Sequence, residues 1–148
     1  QNARPATPDL PFLCGDLTPR VLRVPEGKVR EHANGVQGVA YLHIAVHDAA
    51  ATLARYRTLL GLQDSAHTDA GTASLQLGNT QLKLETASSS RAAAARLAQQ
   101  GEGLFAVGLY TTQASLLGSI TQGNTHGAHI VLLPQGLPRT AHTQSVFA

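Results

Sequence analysis

Four side chains in this sequence are spaced to do chemistry together. Tyr41 and His43 stand two apart in the stretch VAYLHIAVHD, and Lys83 and Glu85 stand two apart in TQLKLE. A spacing of two puts both members of a pair on one face of an extended strand. The set comprises a phenol, an imidazole, an ammonium and a carboxylate. On one sheet face they would form a polar cleft for an anionic or hydroxylated ligand, with His43 as an acid or base near neutral pH. The competing use of that face is an interface between modules, with Lys83 paired to Glu85 or to a partner.

The elements that must position these residues are legible from periodicity. Leu42, Ile44 and Val46 alternate with the first pair, so residues 39–46 read as a strand with one oily face. Asp48 then caps a helix in which Ala49, Leu53, Tyr56 and Leu60 recur at helical spacing, and Gly61 is its stop. Leu75, Leu77, Leu82 and Leu84 alternate with polar residues around Gly78-Asn79. That pattern predicts a hairpin, preceded by a short strand over 63–68. Ser88–Ser90 open a second helix, closed by Gly101 or Gly103. Residues 104–111 read as a buried central strand, 113–122 as a short helix capped by Thr112, and 128–133 as the last strand. Segments 39–86 and 104–133 share a strand-helix-strand order, a weak internal repeat. Before residue 39, prolines at 11, 19 and 25 punctuate short extended pieces at 12–14 and 21–24, and residues 26–38 read as a loop turning at Asn34-Gly35.

Other chemistry-capable residues find simpler roles. His47 flanks a helix start and reads as surface. His126 and His129 are three apart, a ligand spacing on a helix, but Gly127 and the following IVLL place them where a loop enters a strand. His32 and His142 fall in loops, and His67 would face the cleft if its short strand forms. Ser88–Ser90 lack the strand-elbow pattern of a nucleophile. Gly101, Gly103 and Gly108 do not make a phosphate loop.

Composition sets the bounds. The chain has 148 residues, 43% hydrophobic and 14% charged, enough for one compact domain or two very small ones. The net charge is only +2, and the loose basic cluster Arg20, Arg23, Lys28 and Arg30 has no interleaved aromatics, so nucleic acid is not an expected partner. The single cysteine, Cys14, excludes an intrachain disulfide and reads as a small buried hydrophobe. No apolar run approaches the ~20 residues of a membrane-spanning helix. The chain begins at Gln1 and contains no methionine, so it reads as a processed, mature or excised piece.

The stretch GVAYLHIAVHDAAATLARYRTLLGL followed by LQLGNTQLKLETA resembles a vicinal oxygen chelate module, the βαβββ unit of the glyoxalase, bleomycin-resistance and dioxygenase superfamily. The preceding LPFLCGDLTPRVLRVP and HANGVQGVA resemble the linker and second module of bacterial glyoxalase-like domain proteins. The resemblance implies an α+β fold in which βαβββ modules pair their curved sheets around a cleft. It also implies a divalent metal held by His and Glu side chains. The family's first strand reads as a histidine, four residues, then Val-x-Asp. Here Val46-His47-Asp48 fits, and Tyr41 occupies the histidine position. The family's last module strand carries a Glu between two apolar residues, and here that position is Lys83, within Leu82-Lys83-Leu84. An ammonium has no lone pair for a metal.

The expected organisation is therefore a tail and clasp over 1–38, a glyoxalase-like domain over 39–133 and a tail over 134–148. Within the domain, 39–86 is the βαβββ module and 87–133 a helix with a partial second unit. The function expected is a metal-free structural or ligand-binding half of a larger or dimeric protein, paired with a second copy or a missing N-terminal module. One alternative is a metal-dependent lyase, isomerase or dioxygenase completed by ligands from another module. Another is a small-molecule sequestering protein of the resistance type, which the sparse aromatics disfavour. No cofactor is expected otherwise. The resemblance implies a cytoplasmic protein, with a mature secreted form left open.

Overall fold

A computed structural model describes residues 7–12, 15–62, 66–120, 125–126 and 128–135, with the backbone alone described at Ala66, His67 and Ser119. Cys14 and His142 lie outside the described residues. The elements run β1 (Val36–Ala45), α1 (Ala49–Leu60), β2 (Ala66–Asp69), β3 (Thr72–Leu77), β4 (Thr80–Glu85), α2 (Arg91–Gln100), β5 (Gly103–Thr111), β6 (Gly118–Ser119) and β7 (His129–Pro134). The strands form one mixed sheet in the order β2-β3-β4-β1-β5-β7-β6. Pairs β1/β4 and β5/β7 are parallel, and the other neighbours are antiparallel.

The helix ends follow from capping chemistry. The Asp48 carboxylate accepts the Ala51 N–H at 2.9 Å, and Gly61 closes α1 at φ 64°, where a side chain would be strained. Ser90 accepts the Ala93 N–H at the start of α2. The buried stripe of α1, Ala49, Thr52, Leu53 and Tyr56, packs against β3 and β4. Ile44, Val46, Leu53, Leu75, Leu82 and Leu84 form the main core there. Each such side chain contributes about 1.5–3 kcal/mol through burial.

The segment before the sheet is pinned at both ends. Asp9 is buried against α1, where its carboxylate pairs with Arg55 and accepts the Thr52 hydroxyl at 3.2 Å. Its carbonyl accepts the Tyr56 hydroxyl at 2.9 Å. At the far end, Gln113 Nε2 and Thr111 Oγ1 donate to the carbonyls of Ala33 and Asn34.

Three local expectations change. Residues 21–24 are not extended: Arg20–Leu22 is a 3-10 turn, because Pro19 presets the entry and both Arg20 and Arg23 pair back to Asp16. The expected loop over 26–38 holds a 3-10 turn at Gly27–Arg30, and β1 starts early at Val36, drawn into the sheet by pairing with Thr111. The expected helix over 113–122 is a single 3-10 turn, Ala114–Leu116, without a side-chain cap. Strand pairing wins there: Gly118 and Ser119 pair with β7, and the Ile120 N–H donates to the Ile130 carbonyl. Among the described residues the segment from β5 to β7 thus holds three strands and no α-helix, against four strands and one α-helix from β1 to β4. No described helix is long and apolar enough to cross a membrane.

Candidate functional site

The register brings the four candidate residues onto one face, opposite α1. On β1 and β4, Tyr41 pairs with Gln81 and His43 with Lys83, while Ala45 pairs with Glu85. Partnered residues share a face, so Tyr41, His43, Gln81, Lys83 and Glu85 line one side, extended by Ser74 and Gln76 of β3. Leu42, Ile44, Leu82 and Leu84 point to the helix side.

Glu85 is the hub. Its Oε1 lies 3.0 Å from His43 Nδ1 and 3.2 Å from Lys83 Nζ. His43 and Glu85 are buried, whereas the Lys83 side chain is 31% exposed, so the ammonium marks the opening to solvent. Burial pushes the Glu85 carboxyl up. The His43 hydrogen bond, the His43 and Lys83 charges and the Ser90 hydroxyl outweigh it and hold the group at about 2. Tyr41 is shifted the other way: burial, then the Glu85 charge, raises its phenol above the ordinary value. It therefore stands as a neutral hydroxyl.

Two aromatic contacts hold the histidine. The Tyr41 ring lies 4.5 Å from the His43 ring, and Phe105 meets His43 edge-on at 5.9 Å. Tyr41 itself lies over Gly108, its register partner on β5. A Cβ at Gly108 would fall 2.4 Å from the ring. Gly108, Phe105 and the Ser90 hydroxyl were not among the candidates read from sequence. Only the β1/β5 register and the path of the chain into α2 bring them here, and no local pattern announces that.

Two further histidines fall on the rung of His43 in the backbone register, His129 through Ala106 and His67 through Ser74 and Lys83. His47 is exposed, and its backbone N–H donates to Glu102 at 2.8 Å. His126 occupies a turn at φ 53°, and His129 opens β7. His67 falls on β2 opposite Ser74 in the backbone register. A cleft of about 350 Å³ lies elsewhere, where β1 and β4 end. His47, Asp48, Asp69, Thr72, Thr86 and Ser88 are among its lining residues.

The donor set does not suit a divalent metal. Tyr41 is packed on Gly108, Lys83 is a cation, and the Glu85 carboxylate is already held by that cation and by His43. Among the described residues no group of three or more His, Cys, Asp or Glu side chains is arranged to hold one.

No family model matches the chain, and no curated protein matches it. Solved structures do. Methylmalonyl-CoA epimerase from Mycobacterium tuberculosis superposes with a TM-score of 0.55 at 18% identity, covering 72% of this chain and 93% of that one. A hypothetical protein from Bacillus halodurans gives 0.51 at 14% identity, covering 70% and 97%. A fusion of a xylose isomerase-like TIM barrel with 4-hydroxyphenylpyruvate dioxygenase gives 0.52 at 17% identity, covering 80% of this chain and 24% of that one. Such identities speak to fold alone. The chain has the vicinal oxygen chelate fold, an α+β architecture of the glyoxalase-like type.

Proposed function

We propose that this chain is a metal-free glyoxalase-like module that binds a small anionic ligand at the polar sheet face, with Lys83 as its cationic contact. The observation that carries this reading is the position of the Lys83 ammonium, 3.2 Å from a buried carboxylate yet one-third open to solvent. An ammonium offers three donors, and Glu85 takes one. Ser74, Gln76 and Gln81 add neutral hydrogen-bonding groups on the same face. Glu85 orients His43 as the third member of a nucleophile triad orients its base, so proton transfer to a bound ligand is within the site's chemical means.

β5 pairs with the edge of β1, so that edge, open in a lone module, is occupied within this chain. The methylmalonyl-CoA epimerase neighbour acts on a carboxylate-bearing acyl thioester by its name, which agrees with an anionic ligand here.

Calorimetric titration tests the reading. Small dicarboxylates and hydroxy acids are expected to bind the wild type and to lose binding in Lys83→Met. Zn²⁺ and Mn²⁺ are expected to give no saturable heat. Stoichiometric divalent-metal binding without carboxylate binding would overturn the proposal and favour a metal-dependent enzyme.

A further inference from the structure

The charges of the polar cluster cancel among themselves. The Lys83 ammonium lies 3.2 Å from the Glu85 carboxylate, and the Tyr41 phenol is a neutral hydroxyl. With its ring neutral, His43 adds nothing to that sum. The ring also sits where unmatched charge is costly, because the His43 and Glu85 side chains are only 4% and 6% exposed. A net charge in such a place is opposed by burial unless a neighbour compensates it.

An anion on Lys83 upsets this balance. It draws on an ammonium that Glu85 already shares, and it leaves the cluster with a surplus of negative charge. That surplus reaches the ring through one carboxylate, since the Glu85 oxygen beside Lys83 is also 3.0 Å from His43 Nδ1. Of the groups in contact, only the ring can respond with a proton. Lys83 is already an ammonium. Tyr41 already holds its proton, because burial and Glu85 raise its phenol. Glu85 is held at about 2, far below the pH at which it would accept one. His43 donates Nδ1–H to Glu85, which leaves Nε2 as the basic atom. Other titratable groups of this face are more distant by register. His129 is two strands from His43 across Ala106, and His67 is two strands from Lys83 across Ser74. From α2 and β5 the cluster meets Ser90 and Phe105, neither of which titrates.

We infer that an anion binds Lys83 together with a proton on His43, so that this site takes carboxylates in a pH-dependent way. The inference rests on the anionic ligand proposed above and adds its coupling to protons. The proton comes from solvent, no bond of the ligand breaks, and the cluster returns to zero net charge. The imidazolium then compensates Glu85 while the ammonium compensates the ligand. Coupling of two binding events is reciprocal, so a site that takes up a proton with its ligand binds more weakly as the pH rises. The fall is about tenfold per pH unit where the unbound ring is neutral and the bound ring charged.

Lactate and succinate, both ionised at about pH 7.5, are the probes for calorimetric titration of the full chain. Their binding heats in phosphate and in Tris buffer are expected to differ by the uptake of close to one proton per ligand. The His43 ring resonances are expected to move to imidazolium positions when lactate is added to the wild type. His43→Gln should bind lactate with equal heats in both buffers and with an affinity that stays flat through the wild-type fall. His129→Gln and His67→Gln should keep the wild-type pH dependence. Lactate binding with equal heats and unmoved His43 resonances in the wild type overturns the inference and leaves the anion site standing. Proton uptake that persists in His43→Gln overturns it as well. If neither probe binds the wild type, the anion site itself is overturned, and the coupling with it.

Discussion

Lys83 and Glu85 face one another across 3.2 Å at the mouth and floor of the same polar cluster, the ammonium part-exposed and the carboxylate buried. That pair decides what the site can be. The carboxylate that a metal would need is already held by the protein's own cation and by the His43 ring.

Glu85 makes stability depend on acid. Its folded value, about 2, lies below the ordinary 4.5, so its contribution is present above pH 4.5 and lost as the pH falls towards 2. A shift of that size corresponds to about 3 kcal/mol. Glu85→Gln is expected to lower urea stability by that order at pH 7. The gap to wild type should close between pH 4.5 and 2. An equal gap at pH 7 and pH 2 would show that the loss is packing and not charge.

Gly108 is expected to tolerate no side chain. With a Cβ 2.4 Å from the Tyr41 ring, Gly108→Ala should cost about 1–3 kcal/mol by overpacking. In a double-mutant cycle, Tyr41→Ala should relieve much of that cost, since the clash needs both partners. Additive losses would mean that the alanine disturbs the backbone instead.

The Asp9 clasp should respond to alkali. Burial first, then the Asp9 charge, pushes the Tyr56 phenol up to about 12, with Arg55 opposing. A folded value above the unfolded 10 gives stability that is complete below pH 10 and lost as the pH rises towards 12. Tyr56→Phe is expected to lose about 1 kcal/mol at pH 7 and to be flatter than wild type between pH 10 and 12. Asp9→Ala should also free residues 7–12 to added protease, seen as cleavage ahead of Gly15 by mass spectrometry.

Metal response can be engineered if the register is right. Wild-type melting is expected to be unmoved by Zn²⁺, Ni²⁺ or Mn²⁺. Tyr41→His with Lys83→Glu places an imidazole and a second carboxylate beside His43 and Glu85, and is expected to melt higher with Zn²⁺. Chelator should reverse that rise. A metal-induced rise in the wild type would contradict the account of Lys83.

Much of this molecule was written in short-range pattern. The period-two leucines of β3 and β4, the helical stripe of α1 and the caps at Asp48 and Ser90 depend on neighbours within a few residues, so the sequence declares them. The same-face spacing of Tyr41 with His43, and of Lys83 with Glu85, was legible for that reason. Their meeting was not, because the pairing of His43 with Lys83 joins residues forty apart through a parallel register that no local signal sets. Nor could the sequence show that Gly108 lies under Tyr41, that Phe105 meets His43, or that 113–122 yields its helix to pairing with β7. Local propensity is a weak preference, and a strand edge offering unpaired backbone groups overrides it. The sequence by itself determined β1, α1, β3, β4, α2, β5 and β7 and the chemical types on their faces. Only the tertiary structure decided which faces meet, and with that, that the carboxylate of the site answers to a lysine.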